Sequence, residues 1–218
     1  MTPLRQGLTQ PPPNIAKLPR DERGYPVPYF VQWMDGDKPA PYGKGVPEFR
    51  IADRTKVVKC IMDGRCWVCG ELIGRRGVFV VGPMCVINRN SAEPPSHYEC
   101  AIWSLKSCPF LINPDMVRRE NNLPDKTVDA PGIMVKRNPG VMAAYTSKTW
   151  VPYAKGDGVL INVGEPENVE WWTEGRRATK EEAQEALRGG YSLLERMCDT
   201  HEEESFLATQ FHKALATT

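Results

Sequence analysis

Four residues of this sequence have the types and spacing to hold a metal ion: Cys66 and Cys69 in CWVCG, then His97 and Cys100 in PPSHYECAIW. A structural zinc ion takes four nitrogen or sulfur ligands in a tetrahedron. Two cysteines with two residues between them suit a tight knuckle, and Gly70 directly after lets the backbone turn back beneath the ion. The second pair reads as the first turn of a helix, where positions i and i+3 share a face. Free N–H groups and the positive end of the helix dipole favour thiolate charge at that end. Filling all four positions with protein leaves no place for a reactive water, so the expectation is one structural Zn2+ and no catalytic residue.

The other thiols read differently. Cys60, Cys108 and Cys198 fall among apolar or helix-end positions and are expected to be buried and structural. Cys85, in GPMCVINRN, is kept as a reserve ligand or reactive thiol. Seven cysteines is an odd number, which argues against a fully paired disulfide framework. The opening MTPLRQGLTQPPPNIAKLPR lacks the continuous apolar core of a secretory signal. No apolar run approaches the roughly 20 residues needed to cross a bilayer. The expected setting is therefore cytoplasmic, with no membrane partner.

Enzyme signatures are missing. There is no Walker-type loop, Gly-x-Ser-x-Gly elbow or dinucleotide fingerprint. A redox reading of the CxxC pair would need a βαβ context that its surroundings do not offer. His97-Tyr98-Glu99 shares the His-x-Glu of zinc nucleobase deaminases, but Cys100 would fill the coordination position which a catalytic zinc leaves open.

The elements that must place these ligands are legible as follows. Val57, Val58, Ile61 and Met62 recur at helical spacing over about 53–63, with Asp53 as cap and Gly64 as stop. GRRGVFVVGPM reads as a hairpin strand closed by Gly82-Pro83. Ser96 is expected to cap a helix reaching about Ser107, and Asn113-Pro114 to open a further short helical turn. From 127 to 172 the expected strands are GIMVKR, VMAAYTSKTWVPY, GVLINVG and NVEWW. Thr179 and Glu182 form a capping box for a helix expected to stop at Gly189-Gly190. Leu193, Leu194, Met197, Phe206, Leu207, Phe211 and Leu215 supply stripes for one or two more helices. Adjacent Trp171 and Trp172 cannot share one face of a regular strand, which leaves one as a contact for a partner or for the last helices.

Residues 1–50 hold half of the 20 prolines, so 1–24 is expected to be an extended or disordered arm. The fold class is α+β, a treble-clef-like zinc-binding module followed by a small β-rich segment and C-terminal helices. Residues 25–125 form the zinc-binding module with flanking helices. Residues 126–218 carry strands and then helices, and are free to pack with the preceding module as one domain.

Knuckle, hairpin and ligand-bearing helix together make residues 66–107 resemble the treble-clef class of zinc fingers. The resemblance implies the zinc and the local fold and leaves function open, because treble clefs serve many roles. Its HNH-type nuclease members use a histidine on the hairpin as general base. RRGVFVVG has none here, and His201 and His212 lie far along the chain. Further on, NPGVMAAYTSKTW and NVEWWTEGRRATKEEAQEALRGGYSLL are similar to uncharacterised proteins of bacterial genomes, prophages and tailed phages. That similarity implies a phage-associated accessory protein of the host cytoplasm and carries over no activity.

Charge is divided along the chain. Residues 1–160 hold 22 Lys and Arg against 15 Asp and Glu, whereas 161–218 hold 6 against 12. Arg75, Arg76 and Arg89 on the presumed hairpin and loop, with Lys106 on the helix, could make a basic surface for phosphate, with Trp67 and Tyr98 to stack on bases. The plain alternative is that they solvate the outer face of the finger. The expected function is thus that of a structural-zinc protein serving as a nucleic-acid-binding (DNA or RNA) or interaction module of phage or prophage type. Two alternatives stand beside it: a metal-dependent nuclease with a separate carboxylate-rich site, and an accessory protein that binds a host or phage protein through its acidic C-terminal helices.

Overall fold

The computed structural model describes residues 2–123, 131–132 and 135–218. The strand expected at GIMVKR lies partly outside them; within its described residues only Arg137 pairs, in an isolated bridge with Val117.

The chain opens with irregular backbone interrupted by a single turn of helix, α1 (Pro13–Ala16), whose Ile15 is fully buried. A three-stranded antiparallel sheet follows, with β1 (Val31–Asp35) between β2 (Lys38–Ala40) and β3 (Val46–Ala52). Then comes α2 (Arg54–Asp63), with the Asp53 carboxylate accepting the Thr55 N–H and Gly64 ending the helix at φ 64°. Only a residue without a β-carbon takes that left-handed turn at no cost. The expected ends hold, but the faces differ. Lys56 and Cys60 are buried while Val58 and Met62 are exposed. The helix lies against Tyr29 and Tyr42, whose ring faces attract the Lys56 ammonium at 5.4 and 4.5 Å.

The central sheet has the order β10-β9-β6-β4, all antiparallel: β4 (Gly77–Val81), β6 (Met142–Ser147), β9 (Pro166–Thr173) and β10 (Arg176–Arg177). Between β4 and β6 in sequence lie α3 (Pro83–Asn88), β5 (Asn90–Ser91), α4 (Tyr98–Ser107) and α5 (Pro109–Ile112). A second small sheet, β5-β8-β7, is completed by β7 (Val151–Lys155) and β8 (Gly158–Asn162). Two long helices, α6 (Lys180–Glu195) and α7 (His201–Leu215), close the chain.

Period-two alternation sends the strand residues of the central sheet to opposite sides, and both sides are covered. Phe79, Val81, Ala143, Tyr145 and Trp171 pack with residues of α3, α6 and α7. Val78, Met142, Ala144 and Trp172 pack with Ala101 and Leu105 of α4. Trp171 and Trp172 therefore do point apart, yet neither is left over for a partner. Each indole removes about 200 Å² from water, on the order of 5 kcal/mol before entropy.

Four boundaries differ from expectation. VMAAYTSKTWVPY splits at 148–150, where the Ser147 hydroxyl donates to the Thr149 carbonyl at 2.9 Å and turns the chain out of one sheet into the other. No helix opens at Asn113-Pro114. The short α5 begins at Pro109 instead, and the Asn113 side chain accepts the Asp115 N–H at 3.0 Å in a turn. The N-cap of α4 is His97 rather than Ser96, because Ser96 is held in a two-way backbone bridge with Val78. Finally, α6 runs straight through Gly189-Gly190. A β-carbon at Gly190 would lie 3.1 Å from both Met84 N and Pro83 Cβ, so this glycine serves close packing of α6 on α3. The real stop lies beyond Glu195, before a second capping box made by Thr200 and Glu203.

The two glycines should respond oppositely. Nothing lies within 4 Å of a β-carbon at Gly189, so Gly189→Ala should stabilise by about 0.5–1 kcal/mol through helix propensity. Gly190→Val should cost about 1–3 kcal/mol by overpacking. Chemical denaturation of the two variants measures both; a stabilising Gly190→Val would refute the close α3–α6 contact.

Candidate metal centre

The knuckle and the first turn of α4 meet as the spacing requires. Ligand atoms of Cys66, Cys69, His97 and Cys100 all lie within 4.8 Å of one another. His97 Nδ1 is 3.3 Å from Cys69 Sγ and 3.9 Å from Cys100 Sγ. In a tetrahedron with sulfur at about 2.3 Å and nitrogen at about 2.0 Å from zinc, that edge is about 3.5 Å, so the two distances bracket it. The Cys3His cluster fits one structural zinc ion.

Backbone groups hold the ligands in place. The N–H groups of Cys69 and His97 both donate to Cys66 Sγ at 3.4 Å. His97 spends its side chain on the cluster and makes no capping bond to its own helix. With Nδ1 on the metal, Nε2 keeps its proton and donates to the Leu72 carbonyl at 3.0 Å. Such an outer hydrogen bond fixes tautomer and ring orientation. Cys60, just outside, points its thiol at the Cys66 carbonyl at 3.9 Å, and burial pushes it up to about 12.

Three sulfurs this close cannot all ionise unaided. The Cys100 and Cys69 thiols, with the two backbone N–H groups, pull Cys66 well below the ordinary thiol range. Cys69 is lowered by Cys100 but raised further by Cys66 and by burial, to about 11. The Cys66 and Cys69 sulfurs, then burial, push Cys100 higher still. A divalent cation is what lets all three carry charge together.

The surroundings bury the three sulfurs, while the His97 ring stays half-buried. Ile15 and Leu18 of the N-terminal arm pack on Cys66, Cys69, Cys100, Val68 and Trp103. Trp103 Nε1 donates to the Thr9 carbonyl at 2.9 Å. On the other flank Trp67 stacks on Phe30 at 4.5 Å, and the Tyr29 N–H donates to the Val68 carbonyl at 2.7 Å. Trp67 is thereby committed to the interior. Cys85 lies outside the cluster, and burial pushes its thiol up to about 11, which leaves it protonated at neutral pH.

The cationic residues separate into two places. Arg76 pairs with Glu167 at 2.5 Å, and Arg89 with Glu165. The same two carboxylates also hold Lys148 and, at 3.9 Å, Lys213. Arg75 is exposed beside Arg76 and has no ion pair among the described residues. Lys106 lies elsewhere, 5.3 Å from the Trp172 ring, where Arg177 also stacks. Tyr98 donates its hydroxyl to Glu170. Sequence reasoning missed Lys148 and Lys213, because only the fold brings the start of β4, the β6–β7 turn and α7 to one place.

No family model matches this chain, and neither a curated protein nor a solved structure does. Among the described residues no helix is long and apolar enough to cross a membrane.

Zinc binding to small metal modules is worth about 10–16 kcal/mol, comparable to the whole stability of a domain. Cys100→Ala or His97→Ala should therefore abolish the cooperative thermal transition, as should a strong chelator. Cys85→Ala should keep both metal and transition. Calorimetry with metal analysis decides; metal loss from Cys85→Ala alone would move the centre.

Proposed function

We propose that this chain is a non-enzymatic structural-zinc protein, its finger of the treble-clef kind, that binds nucleic acid as an accessory protein of phage or prophage type. One observation carries the binding reading. Glu165 and Glu167, two residues apart, gather Arg89, Lys213, Arg76 and Lys148, with Arg75 alongside. Two carboxylates hold four cations, and Arg75 adds a fifth that they do not pair, so the surface keeps a net positive charge. Exposed ion pairs are worth only about 0–1 kcal/mol, so phosphates can take over these cations at small cost and gain from counterion release.

The zinc supports this reading from behind. Leu72, whose carbonyl the His97 ring grips, lies three residues before Arg75 in the segment that leads into β4. The metal thus fixes the backbone from which Arg75 and Arg76 project. The phage-type role draws only on the resemblance read from the sequence runs at 138–150 and 168–194. The nuclease alternative calls for a second, carboxylate-rich metal site. Among the described residues, Cys66, Cys69, His97 and Cys100 form the one cluster placed to hold an ion.

Anisotropy titrations of a short DNA duplex across a range of salt concentrations test the proposal. Joint replacement Arg75→Ala and Arg76→Ala should weaken binding regardless of sequence and reduce the slope of log K against log salt by about 2. Lys106→Ala, at the separate Trp172 site, should leave that slope unchanged. Equal affinity and slope in the double variant would defeat the reading.

A further inference from the structure

Of the two aromatics expected to stack on bases, Trp67 is buried and Tyr98 lies on α4, bonded to Glu170. The small sheet β5-β8-β7 offers a third, and that sheet is rooted in the cation cluster. β5 starts directly after Arg89, β7 starts shortly after Lys148, and β8 ends shortly before Glu165. Register decides which of its side chains share a face. Asn90 and Val151 both pair with Asn162, so these three stand in one row across the sheet. Tyr153, two residues along β7 from Val151, projects to the same side. The opposite side turns Ser91 and Ile161 into the interior.

Tyr153 is held in place by a bond across the sheet. Its hydroxyl donates to Asn90 Oδ1 at 2.8 Å, two strands away. Neighbouring strands lie about 4.8 Å apart, so a side chain with this reach extends across β8 instead of standing up from the sheet. Leu160, its cross-strand partner, is buried on this same side, while Tyr153 keeps 39% exposure. A ring with its hydroxyl tethered and an apolar neighbour beneath loses little freedom on stacking. Asn162 lies exposed in the adjoining row. Its Oδ1 accepts the Gly164 N–H at 3.0 Å, and its Nδ2 has no partner among the described residues.

A duplex has little use for such a face. Its bases are stacked on one another, and it offers only phosphates and groove edges. A single strand offers backbone charge together with the flat faces of unpaired bases. We infer that the nucleic acid bound at the Glu165–Glu167 cation cluster is single-stranded, its phosphates on the clustered cations and an unpaired base stacked on Tyr153. The free Asn162 amide donates to the edge of that base. This inference rests on the nucleic-acid reading above and narrows it.

Anisotropy with the full zinc-loaded chain tests it with three probes: an oligothymidine of about 12 nucleotides, a duplex of the same length, and a strand with the same phosphates but abasic sugars. Wild type should bind oligothymidine about tenfold or more above either of the others, and the two single strands should share one salt slope. Tyr153→Leu should lose about tenfold on oligothymidine, whereas Tyr153→Phe, which keeps the ring, should lose about threefold at most. Should Tyr153→Leu disturb the sheet, the abasic strand decides in the unaltered protein. Oligothymidine bound no more tightly than the duplex or the abasic strand overturns the inference. So does a folded Tyr153→Leu variant that binds it like wild type. If joint replacement of Arg75 and Arg76 still flattens the salt slope in that case, nucleic-acid binding stands and only the single-strand assignment falls. No binding to any of the three probes removes both.

Discussion

One constraint governs much of this molecule: three sulfurs and a ring nitrogen, drawn from two segments separated by residues 70–96, must converge on a single ion. Thiolates at such distances repel, and the cation converts that repulsion into the strongest local attraction in the chain. The consequence is geometric. The knuckle is pinned to the N-terminus of α4, and α4 covers one face of the central sheet through Ala101 and Leu105. The same knuckle carries the packing of Phe30 and Tyr29 from the first sheet, and of Ile15 and Leu18 from the arm. Parts with too little apolar surface to fold separately are thereby held against one nucleus.

The remainder of the architecture is a sheet covered twice. Trp171 and Trp172, neighbours in sequence, sit in different cores and lock β9 to the C-terminal helices and to α4 respectively. At one end of that sheet Glu165 and Glu167 act as anchors for cations contributed by four separate parts of the chain. Zinc sets the position of the Arg75–Arg76 segment, and the sheet sets the position of the carboxylates opposite. The proposed binding surface therefore rests on both devices.

Local chemistry was readable from sequence wherever the signal was local. Each of the two ligand pairs, the caps at Asp53 and Thr179 and the glycine stop at Gly64 depend on residues within a few positions of one another. Expectations failed where a distant contact outweighed the local signal. Gly190 looks like a helix stop until α3 is seen pressed against it, and Ser96 looks like a cap until Val78 pairs with it. Val58 and Met62 fit an inward stripe by periodicity, yet the aromatic rings of Tyr29 and Tyr42 draw Lys56 inward in their place. The cation cluster was half legible. Arg75, Arg76 and Arg89 stand close together in sequence, but Lys148 and Lys213 reach it only through tertiary structure.

The closed metal centre is tested most directly by replacing its ion with cobalt(II) and recording the absorption spectrum of the full chain. A tetrahedral spectrum from one ion per chain is predicted, with charge-transfer intensity for three thiolates and no response to added azide. A spectrum that shifts with azide, or that reports fewer than three thiolates, would mean an open coordination position. It would contradict a purely structural centre and return catalysis to consideration.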